Sequence, residues 1–494
     1  MRNDLNSEVM KRLFVCFCLL IGLSANAVAD DWMSRLPDHI FVSQVSIPGT
    51  HDTATGNGVS LAVFSQCQDV PMDVQWASGI RAFDLRPIVK DDHLHINHGV
   101  AETKLRFDDA LYLLRDSLIA HPTEFAVVHL LYANKFSEDK TEYAEMLGEL
   151  LSREDLKDHL VVFKRSLTVG EMRGKILLLS RDQYAAQPFT GGFFTKWCGY
   201  LDWAAQSSCS IKGIGSKAYS IGKLYVQDYS QTENETTGVQ VKIDAVEQLL
   251  DFSTKYDTSD STKTVWVFNF ASSYPGSLST ADGYRHNASL TNAAIIEYLK
   301  ENEAGPTGVV LMDYACVDSG KNFSGKVVDT RGQELVDTLI ANNFKWLDRI
   351  NKVYYDKQMG RINRLCELLE EVEQKVNTEC PDVASDFVDD IAAAKDSIGA
   401  MQQELDSLFA EWKLSAKYMG DYLAVLRQIT AISTAAAAAQ AEYNESVGIG
   451  SIDAVEDVRA VRMWSLTGQR IEAPVRGSVY LVRYSDGRTR KVRY

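Results

Sequence analysis

Three observations predict an α/β fold in which a closed barrel is followed by helices and a small β unit. Short β-branched runs recur at 39–46, 80–89, 125–132, 175–180, 223–228, 265–271 and 309–314. Helical patterns fall between several of them, at 107–120, 141–152, 239–256 and 289–302. Ionisable residues gather where the early runs end. Apolar strands alternating with helices indicate a parallel sheet covered on both faces, and a strand count near eight favours a closed barrel over an open sheet.

The chain has 494 residues, which calls for two or three domains. Its composition, 45% hydrophobic and 24% charged, is that of a soluble globular protein. A formal net charge of −16 argues against a nucleic-acid partner and against adhesion to anionic lipid by charge alone.

Residues 1–29 read as a cleaved signal peptide. Lys11 and Arg12 precede an apolar run at 13–23, and Ala27-Val28-Ala29 supplies a small-x-small cleavage site. The run is short for a bilayer span, so the expectation is export without a transmembrane segment after cleavage. The destination is secreted, periplasmic or cell-surface. Six cysteines remain, Cys67, Cys198, Cys209, Cys316, Cys366 and Cys380. Cys198 with Cys209 and Cys366 with Cys380 are the local candidate disulfides, weighed evenly against buried free thiols.

The barrel is assigned to 30–349. From 350 to 447 the pattern changes: Leu365, Leu368, Leu369, Val372 and Val376 repeat at helical spacing, as do Ile391, Ile398, Met401, Leu405 and Leu408. Pro381 breaks the first run, and a third reaches Tyr443, so an α-helical bundle or hairpin is expected. A Gly-Ile-Gly-Ser linker at 448–451 leads to 452–494, whose strands and Thr467-Gly468 and Asp486-Gly487 turns read as a small antiparallel β module. From Arg459 onward nine Lys and Arg face two acidic residues, about +7, leaving about −23 for the rest.

Residues 46–99 carry the chemistry. Ser46-Ile-Pro-Gly-Thr-His51-Asp52, Gly79-Ile-Arg-Ala-Phe-Asp84-Leu-Arg86 and Leu94-His-Ile-Asn-His98-Gly99 each run from apolar to ionisable, as expected when parallel strands deliver groups to one end of a barrel. Two histidines, two aspartates and an arginine suit attack on a phosphodiester. One histidine can take a proton from a hydroxyl nucleophile, a second can protonate the leaving oxygen, and a guanidinium can hold the phosphoryl oxygens.

Ile-Pro-Gly-Thr-His-Asp, Gly-Ile-Arg-x-Phe-Asp-Leu-Arg and His-Gly in this order resemble the catalytic half of the bacterial phosphatidylinositol-specific phospholipases C, over about three fifths of the chain. The resemblance implies a distorted TIM-like barrel of the metal-independent kind, acting on the phosphatidylinositol headgroup at a membrane interface. His51 takes the position of the general base and His98 that of the general acid. Arg86 grips the non-bridging oxygens and Asp52 orients it. Asp84 is expected to hold His98 protonated, and Asp313 matches the aspartate that pairs with the base. Arg181 and Asp228 match residues that hydrogen-bond inositol hydroxyls. Tyr229 stands beside Ser230, where the family has a stacking tyrosine, and the family's lysine falls near Leu131, with His129 or Lys135 as substitutes. A guanidinium in the phosphate slot replaces the oxygen ligands of calcium-dependent relatives, so no metal or other cofactor is expected.

The resulting expectation is a phosphatidylinositol diacylglycerol-lyase that forms inositol 1,2-cyclic phosphate, with glycosylated inositol lipid anchors as further substrates. Two alternatives stay open: a metal-dependent glycerophosphodiester phosphodiesterase, and a catalytically weak cell-surface module that binds inositol or glycan. The aromatic cluster Phe189, Phe193, Phe194, Trp197, Tyr200 and Trp203 is expected either to meet lipid or to pack as a satellite core. No oligomerisation signal stands out.

Overall fold

A computed structural model describes residues 31–132, 140–182, 190–194, 197, 210–213, 221–232, 238–256, 264–276, 280–415, 418–447, 449–450, 460–485 and 487–494. The signal peptide reading, Cys198, Cys209, Lys135, Phe189, Tyr200 and Trp203 lie outside these residues. The chain divides into two compact units, one ending at Ile350 and the other spanning Asn351–Tyr494.

The first unit is a closed barrel of nine strands: β1 (Ile47–Thr50), β2 (Ala82–Leu85), β3 (Ala126–Leu130), β4 (Ile176–Ser180), β5 (Gly192–Phe194), β6 (Ser210–Gly213), β7 (Ile221–Gln227), β8 (Val265–Phe270) and β9 (Val309–Met312). Around the barrel the order is β1, β9, β8, β7, β6, β5, β4, β3, β2. All neighbours are parallel except β6, which runs antiparallel to β5 and β7. Strands such as Val127-Val-His-Leu and Ile176-Leu-Leu-Leu are buried throughout, as in a sheet covered on both faces.

The ring closes because the first strand meets the last, Ile47 beside Val309 and Thr50 beside Met312. Gly49 permits this approach: a Cβ there would lie 2.6 Å from Leu311 Cδ2 and 2.8 Å from Ala82 Cβ. The expected strand at 39–46 is instead a 3-10 turn, Val42–Gln44. Ser46 is then fixed by Asn343, whose Oδ1 accepts from its N–H at 2.7 Å and whose amide donates to its carbonyl at 2.9 Å. At the opposite end from the ionisable cluster, Arg81 and Glu124 form a fully buried pair at 3.0 Å.

Helices cover the barrel: α1 (Phe107–Ala120), α2 (Thr141–Leu151), α3 (Gly238–Lys255), α4 (Ala281–Glu301) and the start of α5 (Gly332–Glu379). Helix α4 begins eight positions before the predicted residue 289, because its first turns bury polar Arg285 and Asn287 among Ala281, Tyr284 and Ala288 and so show no continuous apolar stripe.

In the second unit the rest of α5 is followed by α6 (Val388–Ala410) and α7 (Tyr422–Ser446). Helix α7 is long and apolar enough, by length and composition, to cross a membrane. Its buried residues, Val425, Ile429, Ile432 and Ala436, recur at the spacing of a bundle helix. The terminal sheet has four strands rather than three: Ile449–Gly450, placed in a linker from the sequence, pairs in parallel with Thr489–Arg493. Cys366 and Cys380 are free, as are Cys67 and Cys316. Fourteen residues along a helix separate the first two by about 20 Å, well beyond disulfide reach.

Candidate active site

The pairing of β1 with β9 sets the first contact. His51 follows β1 and Asp313 follows β9, so His51 Nδ1 meets Asp313 Oδ1 at 2.7 Å. Gln68 donates from Nε2 to the carbonyls of both His51 and Met312 at 2.8 Å, locking the two strand ends together. Asp52 takes a left-handed backbone (φ 42°), which brings its Oδ2 to 3.2 Å from His51 Nε2. Burial disfavours the imidazolium of His51, but the Asp313 and Asp52 carboxylates outweigh it and raise its pKa above the ordinary value.

On β2, Asp84 and the residue two places on, Arg86, point the same way. Arg86 Nη2 donates to Asp84 Oδ2 at 2.7 Å, and its Nη1 lies 3.2 Å from Asp52 Oδ2. Burial works against both charges. The Arg86 guanidinium and the hydrogen-bonded His129 imidazole nevertheless hold Asp84 well below the usual carboxylate range, and Asp52 and Asp84 raise Arg86. The guanidinium is therefore permanently charged and aimed by two carboxylates.

His98 arrives by a different route from the one its sequence context suggested. It lies on no barrel strand but ends the middle strand of an antiparallel sheet, Pro87–Lys90, His93–His98 and Ala101–Arg106. Its Nδ1 sits 2.7 Å from the Ser65 carbonyl, which can only accept, so Nδ1 carries a proton and Nε2 is the working nitrogen. The carboxylate near Nε2 is Asp52, at 3.5 Å, and not Asp84 as expected. Asp84 is occupied by Arg86 on one oxygen and by His129 Nδ1, at 2.7 Å, on the other.

His51, Arg86 and His98 open onto one cavity of ≈ 280 Å³ at the C-terminal end of the parallel strands. Arg181, just past β4, and Asp228, just past β7, form its far wall, joined by a 2.9 Å bond from Arg181 Nη2. Trp197 lies 3.5 Å from the Arg181 guanidinium, face to cation, and donates from Nε1 to Asp228 at 2.7 Å. Burial opposes the Asp228 charge, but Arg181 and the Trp197 bond lower its pKa. Tyr229 does not face this space. Its amide donates to Gln227 Oε1, while Ser230 and Leu131 line the wall.

Sequence reasoning missed Ser272, Ser273, Tyr274 and Tyr284 in the lining. The first three follow β8 and were open to the strand-end logic that singled out His51 and Arg86. Tyr284 comes from α4 and carried no local signal. Of the aromatic cluster, Phe194 is buried and Trp197 packs on His129, Phe194 and Phe270, so both fill the barrel mouth from inside rather than face lipid.

Among the described residues, the donor atoms of His51, Asp52 and Cys67 lie within 4.8 Å of one another. This set fits a divalent cation poorly. Burial keeps the Cys67 thiol well above its usual range and hence protonated, and the Arg86 guanidinium already neutralises Asp52.

No protein-family model matches the chain. It is 28% identical over 336 residues to the 1-phosphatidylinositol phosphodiesterase of Staphylococcus aureus strain NCTC 8325 / PS 47, covering 62% of this chain and 94% of that one. With the enzyme of the same name from Listeria monocytogenes it shares 31% identity over 161 residues, 31% of this chain and 48% of the relative. Among solved structures, a pentafluoro-Phe variant of the Staphylococcus aureus phosphatidylinositol-specific phospholipase C matches with a TM-score of 0.50 at 22% identity, covering 63% of this chain and 98% of that one, a likeness of fold. With catalytic-half motifs in family order and a likeness that spans 94% and 88% of two Staphylococcus aureus relatives, this chain is similar to the bacterial phosphatidylinositol-specific phospholipases C, a family of phosphodiester-cleaving enzymes.

Proposed function

We propose that the protein is an exported lyase that cleaves phosphatidylinositol, and glycosylated inositol lipid anchors, to diacylglycerol and inositol 1,2-cyclic phosphate. The observation that carries the reading is a single network, Asp313–His51–Asp52–Arg86–Asp84, with His98 on the same Asp52 oxygen and all three basic side chains on one cavity.

His51 takes the proton of the inositol 2-hydroxyl, whose oxygen attacks the adjacent phosphorus. His98 gives its Nε2 proton to the departing diacylglycerol oxygen. Arg86 stabilises charge on the non-bridging oxygens. The nucleophile already belongs to the substrate, so positioning supplies much of the rate. Asp52 orients both His98, at 3.5 Å, and Arg86, at 3.2 Å. Arg181 and Asp228 receive the ring hydroxyls.

Access to lipid is supported by an apolar rim. Leu61, Phe64 and Val100 are 59, 54 and 64% exposed, and in the chain they flank Ser65, whose carbonyl holds the acid in place, and His98, the acid itself. Side chains of this kind enter the headgroup layer without help from charge. Export rests on the apolar run at 13–23 and the Ala27-Val28-Ala29 site. The domain limits proposed are 30–349, 350–447 and 452–494.

The test is phosphorus NMR of the purified mature protein with phosphatidylinositol in detergent micelles and excess chelator. A five-membered cyclic phosphate resonance is expected. Its absence, with the Staphylococcus aureus relative active in a matched tube, overturns the assignment.

A further inference from the structure

We propose that His129 is a positioning residue that fixes the headgroup pair Arg181–Asp228 and the phosphate-holding Arg86 to a common point, acting as the neutral imidazole with its proton on Nδ1. The inference rests on the site reading given above.

His129 is the fourth residue of β3 and is 1% exposed, so it touches no substrate. Its Nδ1 is 2.7 Å from Asp84 Oδ1, and its Nε2 accepts from Arg181 Nε at 2.9 Å. A guanidinium has donors only, so Nε2 must present a lone pair and the single proton lies on Nδ1, donated to Asp84. Both ring nitrogens are thus committed, each to a different half of the site. An imidazolium would break the Arg181 bond and bury a further positive charge between two arginines. Burial accordingly pushes the histidine toward its neutral form.

The ring cannot turn freely. Phe194, Trp197 and Phe270 surround it, with centroids 5.9, 5.2 and 5.6 Å away. A continuous line of bonds therefore runs Asp228–Arg181–His129–Asp84–Arg86. Imidazole suits the middle position because it offers one donor and one acceptor on opposite edges of a rigid ring.

Two amide variants separate the halves. In His129→Asn the side-chain amide can replace the Nδ1 proton toward Asp84, but nothing accepts from Arg181. In His129→Gln the longer side chain can place its oxygen at the Nε2 position and accept from Arg181, but Asp84 loses its donor. Steady-state kinetics on phosphatidylinositol micelles should place most of the His129→Asn loss in KM, about tenfold, and most of the His129→Gln loss in kcat, about tenfold. Nitrogen-15 NMR should find the wild-type ring neutral with Nδ1 protonated. It should also find the Arg181 Nε resonance moved by His129→Asn and the Arg86 Nε resonance moved by His129→Gln.

Equal division of the loss between kcat and KM in both variants, matching His129→Phe, would mark a packing role and overturn the proposal. So would an Nε2-protonated ring, or arginine resonances that do not move. Should wild-type enzyme fail to turn over phosphatidylinositol, the functional reading falls while the nitrogen-15 spectra still decide the bridge.

Discussion

His51 and Asp313 stand 262 residues apart in the chain, yet their Nδ1 and Oδ1 atoms are 2.7 Å apart. A residue on the first strand can meet one on the last only because the sheet closes, with Thr50 beside Met312 as their immediate neighbours. Closure of the barrel and assembly of the His51–Asp313 pair are one event.

This contact predicts a pH profile. If His51 is the base, as proposed, it must be neutral to work, and although burial opposes the imidazolium, Asp313 and Asp52 raise its pKa. The acid limb of kcat/KM should therefore lie above the ordinary histidine value of about 6.5. Asp313→Asn removes a carboxylate that stabilises the imidazolium, so the limb should move to lower pH while kcat falls about 10²-fold. The pair's contribution to stability is fully present below pH ~6.5 and is lost as pH rises through the raised folded value. In the variant that acid-side contribution should disappear from denaturant melts.

His51→Ala and His98→Ala should each lower kcat by about 10²- to 10⁴-fold without altering circular dichroism. With base and acid acting in one step, as proposed, the double variant should lose much less than the product of the two. Additive losses would indicate that the histidines serve separate steps.

Lys242 offers a stability test away from the reacting atoms. It is fully buried, and Nζ donates to Gln227 Oε1 at 3.0 Å. Burial pushes its pKa down to about 7, against the pull of Asp228 and Asp313. Unfolded lysine keeps its proton to about pH 10.4, so between pH ~7 and ~10 the unfolded state binds more protons and this group's contribution to stability rises with pH. Lys242→Met should flatten that rise and gain about 1–3 kcal/mol at pH 6. Parallel wild-type and variant curves would mean that the lysine stays charged in the fold.

Leu61→Ser with Phe64→Ser should weaken sedimentation with phosphatidylinositol-containing vesicles about tenfold or more. The double variant removes two exposed apolar side chains from the rim, each contributing roughly 1–2 kcal/mol when inserted. Turnover of a monomeric short-chain substrate should fall less than turnover of vesicles. Equal losses would place these residues in the fold of the site and not at the lipid surface.

Prolonged dialysis against chelator should leave turnover within about twofold of its starting value, since in the proposed reaction Arg86 supplies the positive charge at the phosphoryl oxygens. Loss of activity restored by calcium would require oxygen ligands that the His51, Asp52 and Cys67 group does not provide.

The amino-acid pattern was most informative where chemistry is local. His51, Asp84 and Arg86 could be read because each follows or ends a short apolar run, and strand ends in a parallel barrel point to one face. Helix α1 was legible end to end from its apolar periodicity. Strands β5 and β6 were not, since Gly192-Phe-Phe and Ser210-Ile-Lys-Gly are too short to show a period. His98 was read as a barrel strand end, although it sits on an antiparallel side sheet, because alternation along a strand does not say which sheet it will join.

By itself, then, the sequence determined which residue types reach the mouth of the barrel, and with them the class of chemistry. Only the tertiary structure decided who partners whom. Asp84 serves Arg86 and His129, Asp52 serves both histidines and Arg86, and Trp197 turns inward to Asp228. Apart from the local contacts Asp84–Arg86 and His51–Asp52, those choices follow from distances of about 3 Å between groups tens of residues apart, set by the register of β1 on β9 and the docking of the side sheet, which no local pattern encodes.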